Sequence, residues 1–389
     1  MFRIQTLNRI ASKGLELFDQ EKYRVASDTE NPDAILVRSF NMHEIELPPA
    51  LKAIARAGTG VNNIPIEKCC QRGIVVFNTP GANANSVKEL VLGGLFLASR
   101  KIYQGISWVK SLAGKEDLSK LVEKEKSAFG GPEIKGKKLG VIGLGKIGVM
   151  VANDAEKLGM KVTGYDPFIS VEAAWGLSST VKRANSLDTI FSDSDYITLH
   201  VPLTDKTMNM IDHKQFSKMK KGIRLLNFAR GGLINNKALK EALEMEIVEC
   251  YITDFPTNEL LFSDKVIPLP HLGASTPEAE ENCAVMAAEQ VKNFLEKGNI
   301  LNSVNFPDCE MELTREFRIV VANRNIPRMI GQITTILSEE KINIADMLNQ
   351  HKDEYAYNII DTDDPVPEQL LEKIRKIEGV LMARAVSSK

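Results

Sequence analysis

The sequence predicts an α/β protein built on parallel sheets, with a small βαββαβ unit at its C-terminal end. Three observations carry that prediction. Short apolar runs alternate with helical stretches over most of the 389 residues. One of those runs passes directly into a glycine-rich turn and a helix. After residue 316 the pattern changes to strand, helix, two strands, helix, strand.

Taken in order, residues 1–85 carry apolar runs at 2–6, 23–26, 34–37, 53–56 and 74–77, separated by helical stretches, and so read as a parallel α/β region. Residues 86–112 read as one long apolar-rich helix, opened by Ser86 with Glu89 three residues later as a capping box. The lysine-rich stretch 115–133, which contains Gly130-Gly131-Pro132, reads as a solvated excursion. Strands follow at 138–142 and 161–165, then at 196–201, 223–228, 250–255 and 265–269. An amphipathic helix over 278–296 returns the chain to the first region. The stretch 297–315, with Gly298, Asn299, Asn302, Asn305 and Pro307, reads as linker sequence. The last unit has strands at 317–323, 342–350, 355–361 and 380–386 and helices at 329–340 and 368–376, a ferredoxin-like order.

The strand at 138–142 meets Gly143-Leu144-Gly145-Lys146-Ile147-Gly148, a helix follows, and the next strand ends in Asp166. Strand, G-x-G-x-x-G, helix, strand and acid form the dinucleotide-binding fingerprint in its required context. Gly143 permits the tight turn, Gly145 lets a pyrophosphate approach the backbone, and Gly148 lets helix and strand pack closely. The helix N-terminus favours the phosphates. Asp166 stands 18 residues past Gly148 (166 − 148), near the ~20 expected of the acid that binds the ribose diol. A carboxylate there repels a 2′-phosphate, so the expected cofactor is NAD rather than NADP.

Composition narrows the function. A net charge of −2 gives no electrostatic support for nucleic-acid binding. No apolar run reaches membrane-spanning length, and the start, Met1-Phe2-Arg3-Ile4, has no signal-peptide character. The five cysteines, Cys69, Cys70, Cys250, Cys283 and Cys309, lack metal-ligand spacing, so no metal is expected, and reduced thiols in a cytoplasmic protein are the simplest account.

Three strand-end loops hold side chains suited to chemistry. His271 stands out among the five histidines, because it follows a strand and opens Leu272-Gly273-Ala274-Ser275-Thr276. Ligands of open parallel sheets bind beyond the carboxyl ends of strands, and histidine exchanges protons near neutral pH. Asn227-Phe228-Ala229-Arg230-Gly231-Gly232 places an arginine in a glycine-flanked turn, and Asp254-Phe255-Pro256-Thr257-Asn258-Glu259 contains two acids. Dehydrogenation of a hydroxy acid needs a guanidinium for the carboxylate, a base for the hydroxyl proton and an acid to orient that base. Arg230, His271 and Glu259 fit those roles, although spacing alone equally fits a surface ion-pair arginine and a solvated loop acid.

Together these motifs resemble the D-isomer-specific 2-hydroxyacid dehydrogenases, in which an arginine, a glutamate and a histidine occur in this order and match Arg230, Glu259 and His271. Supporting stretches are Val37-Arg38-Ser39, Arg56-Ala57-Gly58-Thr59-Gly60-Val61 and Asn78-Thr79-Pro80-Gly81-Ala82-Asn83. The resemblance covers nearly the whole chain. It implies a Rossmann-type NAD domain over 91–277, inserted in a flavodoxin-like substrate domain formed by 1–90 and 278–305, with the active site in the cleft. A linker over 306–315 and an ACT-like regulatory domain over 316–389 complete the expectation. It further implies 3-phospho-D-glycerate as substrate, oxidised to 3-phosphohydroxypyruvate, in a homodimer or homotetramer. Another 2-hydroxy acid such as glycerate or lactate is the nearer alternative. A dinucleotide-sensing corepressor is the more distant one, and the ACT-like unit and the absence of a basic segment argue against it. Arg38 and Arg56 are expected to meet the phosphate. Arg230 and backbone N–H groups near Gly58 and Gly60 are expected to meet the carboxylate, with His271 as base. Gly143, Gly145, Lys146, Ile147, Gly148, Asp166 and Pro202 are expected to hold NAD, and Asp254 its carboxamide.

Two departures from the family pattern stand out. Around the glutamate the usual Asp-Val-Phe-x-x-Glu is Asp254-Phe255-Pro256-Thr257-Asn258-Glu259, with the Asp-to-Glu spacing kept. In the C-terminal unit Arg328 replaces the glycine usual after the proline of the first loop. Asn325 and Asn343 match serine-holding positions of serine-inhibited relatives, but Asn323 stands where those have histidine. An amino-acid effector is therefore expected to be other than serine, or absent.

Overall fold

The computed structural model describes residues 1–261 and 263–387. Its contacts group the chain into two units, Met1–Asn83 together with the chain from Pro277 onward, and Ala84–Thr276. The first expected boundary moves from 90/91 to 83/84 because Val87, Val91, Leu95 and Ala98 share a core with Leu139 and Val141.

The first unit contains a parallel sheet of β1 (Phe2–Leu7), β2 (Tyr23–Ala26), β3 (Ala34–Val37), β4 (Ala53–Arg56) and β5 (Val75–Phe77), in the order β2-β1-β3-β4-β5. That is the flavodoxin-like order. All four residues of β3 are buried, as expected of a continuous apolar run covered on both faces. The helix Pro277–Lys297 lays Ala284, Ala287, Ala288, Val291 and Phe294 into the same core. At Gly14 an added Cβ would lie 2.5 Å from the carbonyl of Ala284, so only glycine lets helix Ser12–Leu15 come this close.

The second unit is a parallel sheet of β6 (Lys138–Ile142), β7 (Lys161–Tyr165), β8 (Lys182–Arg183), β9 (Tyr196–Leu199), β10 (Ile223–Asn227), β11 (Val248–Thr253) and β12 (Val266–Pro268). The order β12-β11-β10-β9-β6-β7-β8 reverses direction between β6 and β9, which makes that junction the topological switch point. Three local expectations are corrected here. The long helix is two, Ala84–Ser99 and Ile102–Ser111. Ser86 lies inside the first of them, and its hydroxyl donates to the carbonyl of Gly273 at 2.8 Å instead of capping. The lysine-rich stretch contains helix Leu118–Glu125 and a short 3-10 turn that seats Phe129 against Trp108 at 5.0 Å.

In the first unit the chain ends in an antiparallel sheet of β13 (Phe317–Arg324), β14 (Ile344–Lys352), β15 (Tyr355–Thr362) and β16 (Val380–Ser387), in the order β14-β15-β13-β16. With helices Met329–Glu339 and Glu368–Arg375 this is the expected βαββαβ arrangement. Its expected independence is corrected. Ile319, Val321 and Ile360 face the two helices. Val320, Ala322, Tyr357 and Ile359 share the core of Phe294 and Leu295. The stretch read as linker is equally built in, since Ile300, Phe306 and Cys309 are buried in that core. Buried Arg318 fastens it by donating to the carbonyls of Lys297, Met311 and Glu312 while pairing with Asp361.

Candidate active site

The fingerprint has the geometry its glycines require. Gly143 has φ +93°, and an added Cβ would lie 2.5 Å from the carbonyl oxygen of His200. At Gly148 a Cβ would lie 2.0 Å from the carbonyl of Gly143. Gly145, by contrast, is exposed, and its Cβ would meet nothing within 4 Å. The turn is thus closed below and open at the point where a pyrophosphate approaches the helix N-terminus, with Lys146 and Ile147 in the first turn. Strand register sets Ile142 opposite Tyr165, which brings Asp166 beside the turn. Its carboxylate accepts from the N–H of Leu144 at 2.8 Å and from that of Phe168 at 2.8 Å. These residues fit NAD. Pro202 follows β9, and its carbonyl accepts from the Thr207 hydroxyl at 2.6 Å.

His200 is a strand-end residue that sequence reading placed inside a strand, since β9 ends at Leu199. It adjoins Gly143, and its Nε2 lies 3.0 Å from the Thr198 hydroxyl. Burial pushes its imidazole down to about 3, so it stays neutral near pH 7. His271 is therefore not alone in occupying a strand end.

Arg230 is half-buried and follows β10. Buried Asn227 clamps its backbone: Oδ1 accepts from the N–H groups of Ala229 and Arg230 at 3.2 and 3.3 Å, and Nδ2 donates to the Arg230 carbonyl at 2.8 Å. One guanidinium nitrogen donates to the Ala229 carbonyl at 2.6 Å, and no carboxylate pairs with Arg230 among the described residues.

His271 has φ +57°, a left-handed conformation that costs a non-glycine residue about 1–2 kcal/mol. Asp254 holds the loop there. Its two oxygens accept from the N–H groups of Leu272 and Gly273 at 2.9 and 2.7 Å, while Ser86 holds the Gly273 carbonyl. The N–H of Asp254 in turn donates to the Asn227 carbonyl at 3.1 Å, which joins the two clamps. Phe255 bridges the loops, because an added Cβ at Gly231 would lie 3.2 Å from its Cβ and its ring centroid is 4.9 Å from that of His271. Arg230 and His271 thus belong to one braced constellation.

Glu259 does not. It is exposed in the turn after β11 and makes no hydrogen bond or ion pair among the described residues, so the expected contact with His271 is not formed. The imidazole rests against Phe255 instead. Sequence reading also missed Ser86 and Asn227 as supports. Asn227 carried a signal, a buried amide at the end of an apolar strand. Ser86 carried none that separates it from a cap.

In the first unit Arg38 stands just past β3 and Arg56 is the last residue of the adjacent strand β4, and Arg56 Nε donates to the Arg38 carbonyl at 3.0 Å. One expectation is corrected: the Gly58 N–H is already taken by the Arg56 carbonyl at 2.8 Å, which leaves that of Gly60. The C-terminal asparagines act locally. Asn323 accepts from Asn358, Asn325 donates to the Asp353 carbonyl, and Asn343 donates to Asp363. Arg328 has φ +73°, which explains a preference for glycine at that position.

The family model for the D-isomer specific 2-hydroxyacid dehydrogenase, NAD binding domain, matches residues 92–276. A D-3-phosphoglycerate dehydrogenase of Haemophilus influenzae is 33% identical over 354 residues, covering 88% of this chain and 83% of that protein. One of Methanocaldococcus jannaschii is 35% identical over 336 residues, 84% of this chain, and the chain spans only 61% of that protein's length. Among solved structures, an NAD+-bound 3-phosphoglycerate dehydrogenase of Entamoeba histolytica superposes with a TM-score of 0.62 at 28% identity, covering 78% of this chain and 98% of that one.

Proposed function

We propose, for a chain that belongs to the D-isomer specific 2-hydroxyacid dehydrogenases, that it oxidises 3-phospho-D-glycerate to 3-phosphohydroxypyruvate with NAD, the first step toward L-serine. The observation that carries this reading is the constellation of Arg230 and His271, braced by Asn227 and Asp254 through Phe255. Arg230 holds the substrate carboxylate, helped by the Gly60 N–H. His271 takes the proton of the C2 hydroxyl. When bound, NAD supplies the acceptor for the hydrogen and electron pair that leave C2. Gly143, Gly145, Lys146, Ile147, Gly148, Asp166 and Pro202 hold it. Asp254, while accepting from the His271 loop, has lone pairs left for the carboxamide. Glu259 partners His271 with substrate in place, since catalytic hydrogen bonds often tighten only then. Arg38 and Arg56 take the phosphate as charge-assisted donors.

No helix among the described residues is long and apolar enough to cross a membrane, and we place the enzyme in the cytoplasm. We read it as a homodimer or homotetramer and its C-terminal sheet and helices as an ACT-like unit that takes an effector other than serine. The test is NADH formation across a panel of D-2-hydroxy acids. The reading predicts the highest kcat/KM with 3-phospho-D-glycerate and loss of that preference in Arg38→Ala. A higher value with D-glycerate or D-lactate contradicts it.

A further inference from the structure

Arg38 is not waiting unpaired. Its Nη1 lies 2.7 Å from Glu280 Oε1, in the first turn of helix Pro277–Lys297. Arg56 is seated on the Arg38 carbonyl, and an added Cβ at Gly58 would lie 2.5 Å from its Nη1, so its guanidinium lies over that glycine. Cys283, one turn beyond Glu280 on the same helix face, completes the cluster. Burial raises its thiol, with Arg38 and Arg56 only partly opposing, so it adds no negative charge near pH 7. Glu281, the next acid of the helix, is turned to Lys13 at 3.3 Å. Glu280 is therefore the carboxylate that faces Arg38 among the described residues, and it offsets the repulsion between two neighbouring guanidinium groups.

We propose that Glu280 is a specificity-determining residue, an internal carboxylate that holds Arg38 until a phosphate displaces it. The inference rests on the reading of Arg38 and Arg56 as phosphate contacts. Exchange of one anion for another keeps Arg38 paired both with and without substrate. The side chains of Arg38 and Glu280 are 33% and 41% exposed, so their pair is partly solvated and weak enough for a dianion to replace. The exchange lowers the affinity of the site for every anion that needs Arg38. A 2-hydroxy acid without a phosphate leaves Glu280 in place and does not feel it.

Glu280→Gln in the full chain keeps an acceptor of the same shape and removes the competing charge. The expected result is a fall of about fivefold in both the KM for 3-phospho-D-glycerate and the Ki of inorganic phosphate as a competitor, at the upper end for an exposed pair and shrinking as salt rises. The kcat/KM for D-glycerate stays at the wild-type value. An unchanged or raised phosphate Ki overturns the inference. Arg38→Ala separates the two levels. If it leaves the phosphate Ki unchanged, the phosphate reading itself fails. If it weakens phosphate while Glu280→Gln matches wild type, only the role of Glu280 fails. Should Glu280→Gln not fold, Glu280→Asp, one methylene short of Arg38, is expected to move the Ki in the same direction, and an unchanged or raised Ki again overturns the proposal.

Discussion

The loop that carries His271 and the loop that carries Glu259 flank the same short strand, β12, yet they are held in opposite ways. Both N–H groups of Leu272 and Gly273 and the Gly273 carbonyl have side-chain partners in Asp254 and Ser86, and the Leu272 carbonyl accepts from the Ser275 N–H. Glu259 is exposed and makes no hydrogen bond or ion pair among the described residues, while its turn is held by buried Leu260, whose N–H donates to the Thr257 carbonyl, and by Asn236, which donates to the Thr257 hydroxyl. The difference teaches that a strand-end loop becomes a rigid platform when a buried polar residue at its base accepts its N–H groups. Asn227 does this for Arg230 as Asp254 does for His271. A left-handed histidine is stable in the first loop because its neighbours are tied down, whereas in the second loop the Glu259 side chain itself has no partner among the described residues.

The comparison can be broken at its strongest point first. His271→Ala is expected to lower kcat by about 10²–10⁴-fold, the usual worth of general acid–base catalysis, with NAD affinity nearly unchanged by fluorescence titration. A variant within threefold of wild type removes His271 from the mechanism. Next, Asp254→Ala leaves the buried N–H of Gly273 and the part-buried N–H of Leu272 without acceptors. Thermal or urea unfolding is expected to show a loss of roughly 1–3 kcal/mol for each donor left unpaired, whereas Glu259→Ala stays within ~0.5 kcal/mol of wild type. Equal losses would erase the distinction between the loops.

His200 extends the comparison to a strand end where the side chain is half-buried and touches the Thr198 hydroxyl. Its imidazole titrates near 6.5 when unfolded and is pushed down to about 3 when folded. The unfolded chain then binds the extra proton, so stability falls as pH drops from about 6.5 toward 3, by up to ~1.4 kcal/mol per unit. His200→Gln is expected to flatten that slope in urea titrations, and an unchanged slope assigns the acid sensitivity elsewhere. The smallest effect concerns Arg328, left-handed like His271 but outside the braced loops. Arg328→Gly is expected to raise stability by up to about 1 kcal/mol, since the strain disappears at a position glycine adopts freely. A loss of stability would show that the arginine side chain contributes more than its backbone costs.

Much of this was legible in the chain itself. Period and punctuation located the fingerprint, β6, β7 and Asp166 because those features depend on consecutive residues. Arg230 and His271 were legible for the same reason, each standing just past an apolar run. The supports were not. Ser86 looked like a cap because its spacing to Glu89 is that of a capping box, and only the fold brings Gly273 to its hydroxyl. The C-terminal sheet looked independent because its strand order is self-contained. The unbroken apolar run of Ile319, Val320, Val321 and Ala322 was the overlooked sign of burial on both faces. The fate of 297–315 was hidden by its asparagines and glycine, which suggest a tether, while Ile300, Phe306 and Cys309 are core residues.

The claim at the centre of this account is that the His271 platform is set by Asp254 and not by Glu259. It is tested most directly by measuring amide hydrogen exchange at Leu272 and Gly273 in Asp254→Asn and Glu259→Gln side by side. The account predicts faster exchange at both amides in Asp254→Asn, because an amide nitrogen would then face a backbone N–H where an oxygen now accepts one, and wild-type exchange in Glu259→Gln. Equal or faster exchange in Glu259→Gln would contradict it.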